Sequence, residues 1–371
     1  MIVHFTTVHL RDDSRIRSKM MASLQRRYPG QVKLLVQDGL GNEVDAEGYS
    51  VIDTGPRLGR LKRMSLGGWR MFRAVLREKP AVAHFHDPEL IPWAILLRAL
   101  GTRIIYDVHE DYPEVVTQNY RLPALARKIL PPFVRATEWA GGSLFDGIVA
   151  VTTQIENKFP KQKTVQVRNW PILDEFHEPT GGPMAERPRE VAYIGTITQN
   201  RNIIGMLEAV HSLRHSNVQL RLAGDFTVEN DRALAQSHAG WDLVRFDGWV
   251  SRARVADILA SVRAGLVVLQ PIEHEALALP IKLFEYMAAG VPIISSDFPL
   301  WREIVEGVRC GLLVDPMKPN EIAEAIQWIL DNPEAAEEMG ARGRKAVVDQ
   351  FNWGQQVKQL FQLYDRVLEQ A

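Results

Sequence analysis

The sequence holds one cysteine in 371 residues, Cys310, so no intrachain disulfide can form. That excludes a disulfide-stapled secreted scaffold and points to the reducing cytoplasm as the compartment. Cys310 lies in "VRCGLLVDP", a turn into a strand, which suits packing better than nucleophilic chemistry. No apolar run approaches the ~18 residues needed to span a bilayer. The first ten residues, "MIVHFTTVHL", carry neither a basic leader nor a cleavage site and read as a first β-strand. Several signatures are missing too. The absence of GxxxxGK[ST], GxGxxG and GxSxG weighs against P-loop nucleotidases, dinucleotide dehydrogenases and α/β-hydrolases. There is also no Asp-x-Asp of the kind that a metal-dependent sugar-nucleotide site would use.

The net charge of −1 is small but unevenly spread. Residues 1–170 carry 25 Lys+Arg against 17 Asp+Glu, a net of +8, and the remainder of the chain carries −9. Between Arg57 and Lys79 eight basic residues face only Glu78. A basic first half suits an anionic partner. The stretch "MSLGGWRMFRAVLREK" spaces Leu66, Trp69, Phe72, Val75 and Leu76 on one helical side, with Arg70, Arg73 and Arg77 elsewhere. Residues 57–79 therefore suit an anionic membrane surface, or else form a surface helix whose aromatics enter the core. No nucleic-acid recognition motif accompanies the patch, so no nucleic acid is expected as a partner.

What the chain has in abundance is alternation. Apolar strands are predicted at "IVHFTT", "VKLLVQ", "AVAHFH", "RIIYDVH", "GIVAVT" and "TVQVRN". The rhythm restarts with "EVAYIGT", "VQLRLAGD", "DLVRFDG", "AGLVVLQP", "VPIISSD" and "GLLVDP". Helical patterns such as Ser14–Arg27 and Pro88–Leu100 lie between them. Continuous apolar strands separated by helices imply parallel sheets covered on both faces. The Pro- and Gly-rich run Asn169–Glu190 reads as a linker. The expectation is an α/β protein of two Rossmann-like, doubly wound domains, residues 1–170 and 171–371, facing a central cleft. A final amphipathic helix at about 354–371 is free in this reading to pack back on the first domain. Ligands of such sheets bind beyond the carboxyl ends of the strands.

Three strand ends in the second half carry candidate chemistry. In "YIGTITQNRNIIGMLEAV", Gly195 and Thr196 end a strand and Arg201 precedes a helix, an arrangement that suits phosphate oxygens. Gly224 ends "RLAGD". In "LALPIKLFEYMAAGVPIISSDFP" a short helix runs from Pro280 to Gly290 with an apolar stripe of Leu283, Phe284, Met287 and Ala288. Lys282 and Glu285, three residues apart, are neighbours opposite that stripe. Lys282 and the helix start form an anion site, and Glu285 can accept two hydrogen bonds from a vicinal diol such as a ribose. In the first half, "HFHDPELIP" and "YDVHEDYP" place His86 and His109 at strand ends, and Arg15 follows the first strand at a helix start. His84 and His86 share a strand face, but Asp87 and Glu89 have no evident ligand spacing, and no metal is expected.

These segments resemble the family 4 glycosyltransferases. The likeness is closest in "LPIKLFEYMAAGVPIISSDFPLWREIVE", "CGLLVDP" and "GARGRKAVVDQFNWGQQVKQLFQLYDRV". It continues through the phosphate loop at Gly195, the base-contacting strand end "VRFDGWVS" with Gly248, and, more loosely, the first half. The resemblance implies a GT-B fold and a retaining, metal-independent hexosyltransferase without a cofactor, using a nucleoside-diphosphate sugar as co-substrate. It implies that the nucleotide sugar binds the second domain and the acceptor the first. Taken with the basic segment 57–79, this leads us to expect a saccharide acceptor, lipid-linked or in polysaccharide assembly, met by a cytoplasmic protein peripheral on the inner face of the cell membrane. Carried over, Glu285 holds the donor ribose, Arg201 and Lys282 the diphosphate, and His109 the donor sugar. Two positions depart from the family pattern. The family often has a second glutamate eight residues before the one that Glu285 matches, but that position here is Leu277, which leaves open whether Glu275 takes its place as a sugar contact. Thr196 stands where many relatives carry Arg. A nucleotide-sugar epimerase and a non-catalytic nucleotide-binding subunit are the alternatives that share this fold.

Overall fold

The computed structural model describes residues 1–118, 122–176, 182–272, 276 and 278–369. The chain divides into two compact units, one of Met1–Asn169 with Gly354–Ala371 and the other of Trp170–Trp353.

The first unit is built on eight strands: β1 (Ile2–Phe5), β2 (Val32–Val36), β3 (Glu43–Val44), β4 (Ser50–Asp53), β5 (Val82–Phe85), β6 (Arg103–Val108), β7 (Gly147–Ala150) and β8 (Thr164–Gln166). They are ordered β3-β4-β2-β1-β5-β6-β7-β8, parallel except for the β3–β4 pair. β1 has β2 on one side and β5 on the other. The strand order reverses there, and this is the place where doubly wound sheets leave a crevice beyond the strand ends. β1 and β5 are buried along their whole length, as expected of strands covered on both faces. Their register sets His4 directly beside His84.

The second unit holds β9 (Glu190–Ile194), β10 (Gln219–Ala223), β11 (Val244–Gly248), β12 (Ala264–Val267), β13 (Ile293–Ser296) and β14 (Gly311–Val314). Their order, β11-β10-β9-β12-β13-β14, is wholly parallel, with the reversal between β9 and β12. The apolar core on one face includes Tyr193, Leu207, Leu222 and Ile326, and that on the other includes Phe284, Met287, Ile293 and Trp301. Cys310 is buried in this second core, and burial pushes its thiol up to about 12, so it stays protonated and unreactive.

The structure departs from the periodicity reading in three places. β3 and β4 are short and lie in a polar stretch that offered no apolar run. A helix spans Ala124–Leu144 although Pro131 and Pro132 lie inside it, residues that normally break a helix. In the basic segment, a helix covers Gly68–Glu78, but its supposed single apolar side is divided. Met71, Phe72 and Val75 enter the core, while Leu66 and Trp69 are exposed.

Candidate active site

In the second unit the strand ends are shaped by glycines in a backbone conformation that other residues rarely adopt. Gly195 and Gly224 follow β9 and β10 with φ of 124° and 142°, values rare for residues bearing a Cβ. A Cβ on Gly224 would stand 2.0 Å from the carbonyl oxygen of Gly195. The loops are stitched together by their backbones: Gly195 N–H donates to Ala223 O at 2.8 Å, and Gly224 N–H to Gly248 O at 2.7 Å. The three glycines named from the sequence thus occupy one contiguous patch of backbone. Thr196 is held to it as well, because its carbonyl accepts from the Tyr193 hydroxyl at 2.8 Å.

The helix Ile281–Ala288 starts after Pro280 and turns its apolar stripe inward. Tyr286 is fully buried, and its hydroxyl accepts from Ile194 N–H at 2.9 Å, pinning the helix to the end of β9. Lys282 is thereby carried to the glycine patch. A Cβ added to Gly195 would lie 3.2 Å from Lys282 Nζ, and the ammonium sits 3.7 Å from the centre of the Tyr193 ring, within cation–π range. A cation, the Cβ-less backbone of Gly195 and a helix start therefore lie close together, an arrangement that suits an anion. Arg201 lies in the turn before the helix Ile203–Ser212; its N–H donates to Thr198 O at 3.1 Å, and Asn202 beside it is left-handed.

Glu285, one turn after Lys282, is only 5% exposed. Its carboxylate meets Arg252 Nη2 at 2.7 Å, and the same nitrogen meets Glu175 at 2.6 Å. Burial would lower the Arg252 guanidinium, but Glu285 and Glu175 outweigh it and raise it. Neither Arg252 nor Glu175 was read from the sequence. Ser251 caps the Arg252 helix and was a visible start signal, whereas Glu175 sits in what read as featureless linker. Glu275 and Leu277 lie outside the described residues.

In the first unit the site residues gather where β1, β5 and β6 end. Asp107 is fully buried at the end of β6. Arg15 grips it with Nε to Oδ2 at 3.0 Å and Nη2 to Oδ1 at 2.8 Å, and donates through Nη1 to Val167 O at 2.9 Å. The anion that Arg15 meets is therefore Asp107, inside the unit, and not a ligand at a loop. His109 Nε2 lies 2.9 Å from Asp107 Oδ2 and His86 Nδ1 lies 3.2 Å from the same oxygen. Burial would raise the Asp107 carboxyl, but the Arg15 charge and the neighbouring His109 and His86 rings hold it well below the usual carboxylate range. His86 is wholly buried, so it supports the site and does not face solvent; His109 keeps a 12% exposed side chain. Asp107, present in "YDVHEDYP" but passed over beside its histidine, is the residue that organises this group.

Among the described residues two sets of side chains could offer a metal three nearby ligand atoms: His4, His84 and His86, and His86, Asp107 and His109. Their donor atoms lie within 4.8 Å of one another. Most of these atoms already bond to one another, and Arg15 occupies the carboxylate of the second set.

With this geometry in view, the comparisons define the class. The fold is that of the GT-B glycosyltransferases. Sucrose-phosphate synthase from Thermosynechococcus elongatus superposes with a TM-score of 0.79 at 19% identity, covering 100% of this chain and 99% of that one. Anabaena HepE, solved in complex with UDP-glucose, gives a TM-score of 0.73 at 12% identity over 98% of this chain and 99% of that one. The profile "Glycosyltransferase Family 4" matches residues 19–168 and "Glycosyl transferases group 1" matches 178–346. The chain is a family 4 glycosyltransferase. Among characterised sequences it is similar to glycogen synthase of Mycobacterium tuberculosis, 24% identical over 83% of this chain and 71% of that protein.

Proposed function

We propose that this glycosyltransferase moves a hexosyl unit from a nucleoside-diphosphate sugar to a saccharide acceptor with retention and without a metal. The observation that carries the reading is the second unit's anion site. Lys282 Nζ stands beside the Cβ-less face of Gly195, with the Glu285 carboxylate one turn further along the same helix. Lys282, Arg201 and the helix start at Pro280 neutralise the departing diphosphate. Glu285 takes the ribose hydroxyls, in competition with Arg252. The bond from the anomeric carbon to the phosphate oxygen breaks while the acceptor oxygen bonds that carbon from the same face. The acceptor's proton passes to the leaving phosphate, so no protein nucleophile is required. That HepE was solved with UDP-glucose supports a uridine nucleotide as the first donor to try.

The test is a thermal-shift panel of nucleoside diphosphates and their sugars. A donor at 100 times its Kd adds about 2.7 kcal/mol of stability. Glu285→Ala is expected to abolish the shift seen with the best donor; an unchanged shift would sink the ribose assignment. Product analysis separates transfer from epimerisation, and binding without turnover would point to a non-catalytic subunit.

The acceptor reading is a saccharide carried on lipid, met at the cytoplasmic face of the membrane. Among the described residues no helix is long and apolar enough to cross a bilayer. The helix Ala124–Leu144 leaves Leu125, Ile129, Phe133 and Trp139 exposed, all within about 120° of its circumference. Its one acid, Glu138, is buried, whereas Arg135 and Lys128 lie along one edge of the stripe. Leu61, Met64, Leu66 and Trp69 are exposed among the basic residues of 57–79. Arg63 is not available there, being tied to Glu89 at 2.6 Å. In vesicle flotation the protein is expected to favour anionic over neutral lipid. Changing Arg60, Lys62 and Lys128 to Glu should weaken binding at least tenfold, since each surface cation contributes about 1 kcal/mol. Equal flotation on both lipids would count against this reading.

A further inference from the structure

Behind Asp107 the first unit contains a polar file that the transfer reaction leaves unexplained. His4 and His84 are neighbours across β1 and β5, His86 follows β5, and Tyr364 projects from the terminal helix Trp353–Glu369. All four side chains are fully buried. Short polar contacts link them in one line. His84 Nδ1 lies 2.7 Å from the Tyr364 hydroxyl, which lies 2.8 Å from His4 Nε2. His4 Nδ1 is 3.0 Å from His86 Nε2, and His86 Nδ1 is 3.2 Å from Asp107 Oδ2.

One end of that line sets the direction of every bond in it. Asp107 is an anion and only accepts, so His86 must carry its proton on Nδ1 and present a lone pair at Nε2. His4 then donates from Nδ1 and accepts at Nε2. Tyr364, with one proton, gives it to His4 and accepts from His84 Nδ1. The last atom, His84 Nε2, is left as a bare lone pair, and it is the one ring nitrogen of the file with no partner. The opposite polarity would aim a lone pair of His86 at the carboxylate, which charge forbids. Burial lowers all three imidazoles below their ordinary value, in keeping with neutral rings. A metal bound by His4, His84 and His86 would have to break bonds of this file.

We infer that Tyr364, His84, His4 and His86 are positioning residues: a one-way hydrogen-bond chain that holds Asp107 and, through it, the ring of His109. Arg15 Nε, His86 Nδ1 and His109 Nε2 lie 3.0, 3.2 and 2.9 Å from Asp107 Oδ2, and His86 Nδ1 is also 3.2 Å from His109 Nε2. With its Nε2–H committed there, His109 has only Nδ1 left to meet a substrate. A helix at the far end of the sequence thereby determines how the imidazole of the site is aimed. A sheet core filled with aliphatic side chains would bury more apolar surface and satisfy more easily, but it could not orient a carboxylate.

Long-range ¹H–¹⁵N imidazole spectra of the whole protein test the chain directly and do not depend on the donor assignment. His4, His84 and His86 are expected as neutral Nδ1–H tautomers at pH 7, with His109 protonated on Nε2. A neutral Nε2–H form for any of the first three, or metal-shifted signals, overturns the inference. The kinetic arm rests on the transferase reading. Tyr364→Phe should disturb the His109 signals, lower kcat at least tenfold with donor KM nearly unchanged, and shift the pH profile. The groups that face His109 in that profile are Asp107, His86 and His9, with Asp13 behind His9 and Arg15 behind Asp107. His84→Asn, which keeps an N–H toward Tyr364, should behave as wild type, whereas His84→Leu should resemble Tyr364→Phe. If Tyr364→Phe does not fold, the two His84 variants decide. Folded variants with an unmoved His109 and an unmoved profile would reduce the file to packing.

Discussion

Replacing Lys282 by methionine is expected to lower kcat/KM by on the order of 10²–10³, the loss found when one preorganised donor to a developing charge is removed. The substitution keeps an unbranched chain of similar length, so its stem can still lie over the Tyr193 ring. What disappears is the ammonium beside Gly195, the group that, in the proposed mechanism, compensates the charge that builds on the leaving phosphate. Because the helix is anchored independently, through the Tyr286 hydroxyl and a buried apolar stripe, folding stability should change by less than about 1 kcal/mol. Steady-state kinetics with a matched urea titration make the comparison. A variant with wild-type kcat/KM, folded and binding donor normally, would remove Lys282 from the reaction.

The second large effect is structural and lies in the other unit. Asp107→Ala should destabilise the first unit by about 3–5 kcal/mol, the cost of leaving one partner of a buried ion pair uncompensated. Arg15, 4% exposed, would keep its charge with the Val167 carbonyl as its one remaining partner among the described residues. The pH dependence follows from the depressed carboxyl. A group that titrates lower when folded stabilises the fold above its unfolded value of about 3.9, and that contribution is lost as the pH falls below it. Asp107→Asn, which keeps the shape but not the charge, should therefore flatten the acid side of the stability curve as well as lowering stability at pH 7. Urea unfolding at pH 7 and at pH 3 to 4 reads both effects. An acid limb identical in Asp107→Asn and wild type would mean that Asp107 is not the group that titrates.

Much of the architecture was legible in periodicity because it rests on local rules. A strand buried on both faces is mostly apolar, and the strands of both sheets other than β3 and β4 could be read as such runs, even though β1, β5 and β6 carry His4, His84 and Asp107 inward and β11 is partly exposed. The Pro280–Gly290 helix was equally readable: its first residue tolerates a missing N–H, and Gly290 takes φ of 68°. The helix Ala124–Leu144 was not, because Pro131 and Pro132 argue against it locally and packing on the helix Ile91–Ala99 argues for it from outside the segment. The basic helix failed differently. A helical projection arranges residues around an axis but does not say which arc meets the sheet, and Trp69 and Phe72 fell on opposite sides of that boundary.

The site residues divide along the same line. Sequence alone determined which residue types stand at the strand ends: glycines that let backbones approach, Lys282 and Glu285 a turn apart, and histidines after β5 and β6. Those features follow from spacing along one strand or one helix, over a few residues. Only the tertiary structure decided their partners. Arg15 reaches Asp107 across 92 positions, Arg252 reaches Glu285 across 33, and Tyr364 joins His4 across 360. Whether a charge faces a ligand or another side chain depends on what the fold brings within about 3 Å of it, and in the low-dielectric interior that neighbour outweighs any local preference.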